Sequence, residues 1–277
     1  MPEQPNRRKQ STTRLVVRRT ERVNPHLIRI NATPSNPEDL AQFTTPHSDA
    51  YVKVLFRKPG VRYPEPLDMA TAREALPRED WPALRTYTLR EVRPDTGDIV
   101  IDFVYHGDSG LAGPWAASAT EGSEMFVVGP GGGYSPDLTA DWHLLVGDDS
   151  ALPAIAASLT RIPPSTPVQA LIEVTDEADE QPLESPGLLQ TRWLHRARGE
   201  SVVEAVRELV FPNGRVHAFV HGEAGAVKEL RRHLREERGL TMDQLSISGY
   251  WRLGFDDEGH REMKAAERDA ETASATS

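Results

Sequence analysis

Gly129-Pro130-Gly131-Gly132-Gly133, followed after a short polar spacer by His143-Leu144-Leu145-Val146-Gly147-Asp148-Asp149-Ser150, marks the place where the pattern of this 277-residue chain changes. The second stretch reads as a buried strand running through a turn into a helix, Ser150 to Arg161, with Ser150 as N-cap and Pro153 in the first turn. Downstream the alternation continues: Val168 to Thr175 as a buried strand, Ser201 to Val210 as a helix and Val216 to His221 as a strand. Ala224 to Glu237 then reads as a long basic helix stopped at Gly239. Strands alternating with helices imply a parallel sheet covered by helices on its faces.

Upstream of the glycine run the spacing is different. Short strand-like runs are separated by Pro and Gly turns: Leu15–Val17, Leu27–Ile30, Tyr51–Phe56, Arg85–Val92, Ile99–Tyr105 and Met125–Val128. Six such runs predict a small antiparallel barrel, with one short helix at Trp115-Ala116-Ala117-Ser118-Ala119 closing an end. The expected architecture is therefore two domains: an N-terminal antiparallel six-stranded β-barrel over residues 14–134, then an α/β parallel-sheet domain over residues 142–262.

Composition narrows the chemistry. The chain has no cysteine, which excludes thiolate metal sites, Cys-ligated iron–sulfur clusters, disulfide redox chemistry and Cys nucleophiles. Redox chemistry must then come from a bound organic cofactor or a non-Cys metal site. A net charge of −10 argues against a nucleic-acid partner, since phosphate recognition needs a basic surface. Part of that charge lies in the tail, Asp256 to Ser277, which carries seven acids against three bases. No run approaches the ~20 apolar residues of a membrane span, and Met1 to Arg14 lacks the apolar segment of a signal peptide. The expectation is a cytoplasmic protein with no membrane insertion, acting as a monomer.

Three stretches carry chemistry. Arg85-Thr86-Tyr87-Thr88 puts a cation, two hydroxyls and an aromatic ring on one strand, where residues two apart share a face. Arginine pairs with a diphosphate, threonine bonds a flavin edge and tyrosine stacks on the ring; an ordinary strand with Tyr87 in the core is the competing reading. Asp102-Phe103-Val104-Tyr105-His106-Gly107, then Gly110-Leu111-Ala112-Gly113-Pro114-Trp115-Ala116, places a strand, a glycine bend and a helix start in sequence. Such a start holds phosphate oxygens on its N–H groups, or is a plain turn with Trp115 as a core anchor and His106 as a structural histidine. Third, Gly147-Asp148-Asp149-Ser150-Ala151 and Gly222-Glu223-Ala224-Gly225 fall at strand ends where an α/β sheet receives a nucleotide, although the Gly-x-Gly-x-x-Gly fingerprint is absent. Acids at the first of these turns would repel a diphosphate. Asp176-Glu177-Ala178-Asp179-Glu180 would repel a 2′-phosphate, whereas Arg192 and Arg196 would attract one.

Jointly these motifs resemble one family. Arg-x-Tyr-Thr-x-Arg at Arg85 to Arg90, Asp102 to Gly107, Gly113-Pro114-Trp115-Ala116, Gly147 to Ile155, Gly222 to Val227 and Ser248-Gly249-Tyr250-Trp251-Arg252 are similar to the siderophore-interacting, FAD-dependent ferric reductases over roughly residues 14 to 262. At the phosphate turn the family pattern places Gly-Pro-Ala two residues ahead of Trp-Ala, and this chain departs from it. The resemblance implies FAD on the barrel: Arg85, Thr86, Tyr87 and Thr88 at the isoalloxazine and diphosphate, Asp102, Val104 and His106 toward the ribityl or adenosine part, Ala112, Gly113 and Trp115 at the phosphates. It implies NADPH or NADH as donor, with a lean to NADPH, at Gly147, Asp148, Ser150, Ala151, Gly222, Glu223 and Ala224; Tyr250-Trp251 reads either as aromatic cover for a flavin face or as two aromatics closing a domain interface. It implies an anionic ferric siderophore as substrate, for which Lys53, Arg90 and Arg252 are the candidates, beside Arg57 and Lys58. Flavin suits this route because it takes two electrons as hydride and releases them singly. A general flavin or ferredoxin-type reductase with a protein partner, and a flavin-free siderophore-binding module, are the other readings.

Overall fold

The computed structural model describes residues 12–254. Contacts within the chain divide it into two compact units that meet between Ser135 and Pro136.

The first unit holds β1 (Thr12–Asn24), β2 (Leu27–Pro34), β3 (Tyr51–Phe56), β4 (Ala83–Arg93), β5 (Asp98–Val104) and β6 (Glu124–Gly131). They close into a barrel in the order β1-β2-β5-β4-β3-β6, every pairing antiparallel. Closure leaves no edge strand. Alternation decides the inside: β2 reads Leu27 to Pro34 with Ile28, Ile30 and Ala32 buried, and these meet Leu15, Val17, Ile99, Ile101 and Phe103. All six predicted runs are strands, and the short helix at Trp115 is α2 (Ala112–Ser118), which packs Ala112 and Ala116 onto that core. A helix not foreseen, α1 (Met69–Ala75), is capped by Asp68, whose carboxylate accepts from the Thr71 N–H at 2.9 Å.

The second unit holds β7 (Trp142–Asp148), α3 (Leu152–Leu159), β8 (Pro167–Val174), β9 (Leu188–His195), α4 (Val202–Glu208), β10 (Val216–Glu223), α5 (Ala224–Arg232) and β11 (Leu245–Trp251). The five strands form one parallel sheet, ordered β11-β10-β7-β8-β9. The chain steps outward from β7 to β8 and β9, then crosses back to lay β10 and β11 on the other side. β7 and β10 therefore flank the point where the winding reverses, and an open α/β sheet offers a ligand crevice at the carboxyl ends of such a pair. Every residue of β7 is buried, as expected of a strand covered on both faces.

Two local expectations differ. Ser150 does not cap α3; the N-cap is Ala151 with no side-chain bond, and the Ser150 hydroxyl turns back to Asp148. The basic helix is α-helical only to Arg232 and continues as a π turn from His233 to Glu237 before Gly239. Among the described residues, no helix is long and apolar enough to cross a membrane.

Candidate functional site

In the barrel unit, cross-strand register sorts the β4 motif onto two faces. Arg85 stands opposite Val54 and Tyr87 opposite Val52, whereas Thr86 stands opposite Lys53 and Thr88 opposite Tyr51. Tyr87 follows the inward face: its ring lies 4.2 Å from that of Phe103, which is 5.5 Å from Trp115, which meets Phe56 edge-on at 5.9 Å. Trp115 and Tyr87 are thus packed against the barrel core, each still half-buried. Lys53 and Thr86 share the outer face.

Arg90 occupies the register shift between Leu89 and Glu91, where β4 slips against β5. Beside it the Asp102 carboxylate, only 1% exposed, accepts two bonds from Arg29 of β2 at 2.7 and 2.8 Å and lies 3.6 Å from Arg90 Nε. The bond to Asp102 raises the Arg29 pKa, while burial lowers that of Arg90. Nη1 of Arg90 is buried and has no hydrogen-bond partner. An unmade bond at a buried charged donor costs about 1–3 kcal/mol or more, so this group is set to receive an acceptor.

Val104 ends β5, His106 is exposed beside His26 with ring centroids 6.3 Å apart, and the turn that follows relies on Gly107 and Gly110, at φ 74° and 79°. Ala112 and Gly113 open α2, and Leu111 ahead of them supplies no side-chain cap.

In the sheet unit, Gly147, Asp148, Ser150 and Ala151 lie at the end of β7, and Gly222, Glu223 and Ala224 at the end of β10. Together Gly147, Asp148, Gly222 and Glu223 help line a small cavity at the reversal point. Asp148 ties this edge together. Its Oδ1 accepts from the Ser150 N–H and hydroxyl at 2.9 and 2.5 Å; its Oδ2 accepts from the Glu223 N–H and the Trp251 indole, both at 2.8 Å. Glu223 in turn caps α5 through the Ala226 N–H at 2.9 Å. Asp148 and Glu223 are both engaged by donors of the fold itself. Gly222 is required here: at φ 145° a Cβ would fall 2.6 Å from Asp148 Oδ2. Arg252 follows Trp251 directly, and the Tyr250 ring meets His221 at 4.9 Å.

Further along the same edge, Arg196 Nη2 donates to Asp149 Oδ2 at 2.5 Å and Thr175 Oγ1 at 3.2 Å, and Nη1 lies 3.6 Å from Glu173. Burial pushes the Asp149 carboxyl up to about 6 against the pull of Arg196. Among the described residues no cluster of His, Asp and Glu could hold a metal ion.

Residues 16–134 match the profile of the siderophore-interacting FAD-binding domain, and residues 140–254 that of the siderophore-interacting protein. The chain belongs to the siderophore-interacting protein family. An uncharacterised protein of Mycobacterium tuberculosis is 39% identical over 91% of this chain and 94% of its own length. The ferric vibriobactin reductase of Vibrio cholerae is 31% identical over the same shares. Among solved structures, the siderophore-interacting protein SipS of Aeromonas hydrophila superposes with a TM-score of 0.76 at 29% identity, covering 94% of this chain and 99% of that one. The siderophore utilization protein of T. fusca gives 0.75 at 32% identity, over 89% and 94%. The ferredoxin reductase of carbazole 1,9a-dioxygenase, at 14% identity and a TM-score of 0.62, shares the fold.

Two pairings in this chain are not evident from the spacing of its residues. Arg29, the bidentate partner of Asp102, sits on a strand distant in sequence, and only the β2–β5 register pairs them. Asp149, Glu173 and Arg196 come from three strand ends, and nothing in their spacing announces the network.

Proposed function

We propose that this protein is an FAD-dependent ferric-siderophore reductase of the cytoplasm, with the flavin on the barrel of residues 14–134 and a nicotinamide nucleotide on the sheet domain of residues 142–262. The observation that carries it is the Arg90 Nη1 donor, buried and without a partner, on the strand that also bears Arg85, Tyr87 and Thr88. The donor set fits the cofactor: guanidiniums for a diphosphate, a ring for stacking and hydroxyls for the flavin edge. Family membership and the named reductase of Vibrio cholerae support the same reading.

When bound, FAD would accept a hydride from the nucleotide and pass electrons singly to chelated Fe(III). The residues around it bind and orient. Asp102 holds Arg29 and Arg90 in fixed directions, which would orient the Arg90 guanidinium toward a bound anionic group. Tyr87, packed on Phe103, which is itself backed by Trp115, would have its ring held in place. On the barrel, Lys53, beside Thr86 on the outer face, would meet the anionic chelate, and Arg252 is the candidate on the sheet unit. Reduction releases iron because hard oxygen chelators hold Fe(II) far less tightly than Fe(III).

The test starts from flavin absorbance of the purified protein after incubation with FAD. Anaerobic reduction by NADH or NADPH follows, then reoxidation by a ferric catecholate in stopped flow. A protein that takes up no FAD sinks the reading, and reduced flavin indifferent to the iron complex leaves only a general reductase. Arg85→Ala should lower FAD retention at least tenfold, the loss expected of one charge-assisted contact to a diphosphate.

A further inference from the structure

In a parallel α/β sheet a dinucleotide lies across the carboxyl edge, with its diphosphate at the turn after the first strand. Its adenosine ribose lies at the end of the next strand, where an acid accepts the 2′-hydroxyl or an arginine receives a 2′-phosphate. In this unit the first strand is β7 and its neighbour is β8, so the ribose position falls at Glu173 to Asp176. Arg196 is the guanidinium that the structure brings to that place, and it is engaged on every side: Asp149 at 2.5 Å, Thr175 Oγ1 at 3.2 Å, the Glu173 carbonyl at 3.4 Å and the Glu173 carboxylate at 3.6 Å.

The neighbouring cations are matched as well. Arg198 pairs with Glu177, and Arg192 lies 3.8 Å from Glu208. His195 lies between Glu180 at 2.9 Å and Glu200 at 3.5 Å. The chain from Ile162 to Thr191 contributes Glu173, Asp176, Glu177, Asp179, Glu180 and Glu184 and no lysine or arginine. A 2′-phosphate placed here would meet a surplus of carboxylates and a guanidinium already shared between two of them. A ribose diol would meet acceptors for its hydroxyls.

We propose that the carboxyl edge of β7 and β8 selects a donor without a 2′-phosphate, NADH over NADPH, because Asp149 and Glu173 hold Arg196 away from that phosphate. Asp149 is then the specificity-determining residue, acting through Arg196. This deepens the reductase reading and rests on its nicotinamide half.

The test is calorimetric titration of the full-length protein with ADP-ribose and with its 2′-phosphorylated form, beside anaerobic flavin reduction by NADH and NADPH at matched salt. ADP-ribose should bind at least tenfold more tightly, and NADH should show the same preference in the concentration needed for half-maximal reduction. Asp149→Asn should shift the ratio roughly fivefold toward the 2′-phosphorylated ligand, the size expected for one unit charge removed about 8 Å from a phosphate in a medium between protein and water. Equal or tighter binding of the 2′-phosphorylated nucleotide overturns the proposal while the reductase reading stands. If neither nucleotide binds or reduces, yet dithionite-reduced flavin still passes electrons to the chelate, the donor half of that reading falls and this proposal with it. The wild-type comparison decides the matter even if the variant fails to fold.

Discussion

Replacing His143 by leucine should make the sheet unit less sensitive to acid. The imidazole is fully buried on β7, and neither ring nitrogen has a hydrogen-bond partner. Burial, reinforced by the neighbouring His217, pushes its pKa down from 6.5 to about 4. The unfolded chain therefore binds a proton at this residue between those two values and the folded chain does not. Stability is fully present above pH 6.5 and is lost as the pH falls toward 4. At pH 5 the unfolded imidazole is almost wholly charged and the folded one about one-tenth charged, a loss of about 2 kcal/mol relative to pH 7.5.

Asp149 acts in the opposite sense. With its carboxyl raised from 3.8 to about 6, the folded state takes up a proton first, and stability rises by about 1 kcal/mol over the same interval. Because the two effects partly cancel, the wild-type profile alone says little, and the difference between wild type and His143→Leu is the informative quantity. Urea unfolding followed by tryptophan fluorescence at pH 7.5 and 5.0 measures it. The variant should lose about 2 kcal/mol less than wild type between the two conditions. At pH 7.5 it should be no less stable, since it buries no orphaned nitrogen. Equal losses in both proteins would refute the reasoning.

Two further outcomes follow from the geometry. Asp102→Asn leaves Arg29 and Arg90 facing one another without their carboxylate; because each arginine side chain keeps about a fifth of its surface in water, the cost should be about 3 kcal/mol, at the low end for a buried pair. Calorimetry should show the barrel transition lowered by roughly 10 °C, and a drop of less than about 2 °C would contradict the assigned role. Gly222→Ala brings a Cβ to 2.6 Å from Asp148 Oδ2 at φ 145° and should cost roughly 2 kcal/mol. The Trp251 indole would lose its carboxylate partner at the same time, so an unchanged tryptophan emission spectrum would count against Asp148 as the tie between β7, β10 and β11.

Residue order alone was enough for the barrel strands, the change of pattern after Gly133, and six of the elements that build the sheet unit: β7, α3, β8, α4, β10 and α5. These are legible because their burial is periodic or continuous: β2 alternates between core and surface, and β7 is buried throughout. β9 and β11 were not legible. β9 is an edge strand whose first residues are mostly exposed, and β11 is built from Ser246, Ser248 and Gly249 with a single fully buried residue, Leu245, so neither carries an apolar signature. The motif Arg85 to Thr88 could be read as a candidate site because its four residues are consecutive. The charges that set the behaviour of both sites could not. Asp102 meets Arg29 only through the register of β2 and β5, and Arg196 meets Asp149 and Glu173 only because β7, β8 and β9 end at one edge. Local sequence determined where strands and turns would form, because propensity and burial period act over a few residues. Tertiary structure decided which cations are already matched by carboxylates and which still need a partner, because charge pairing depends on distances that only the closed barrel and the stacked strands create.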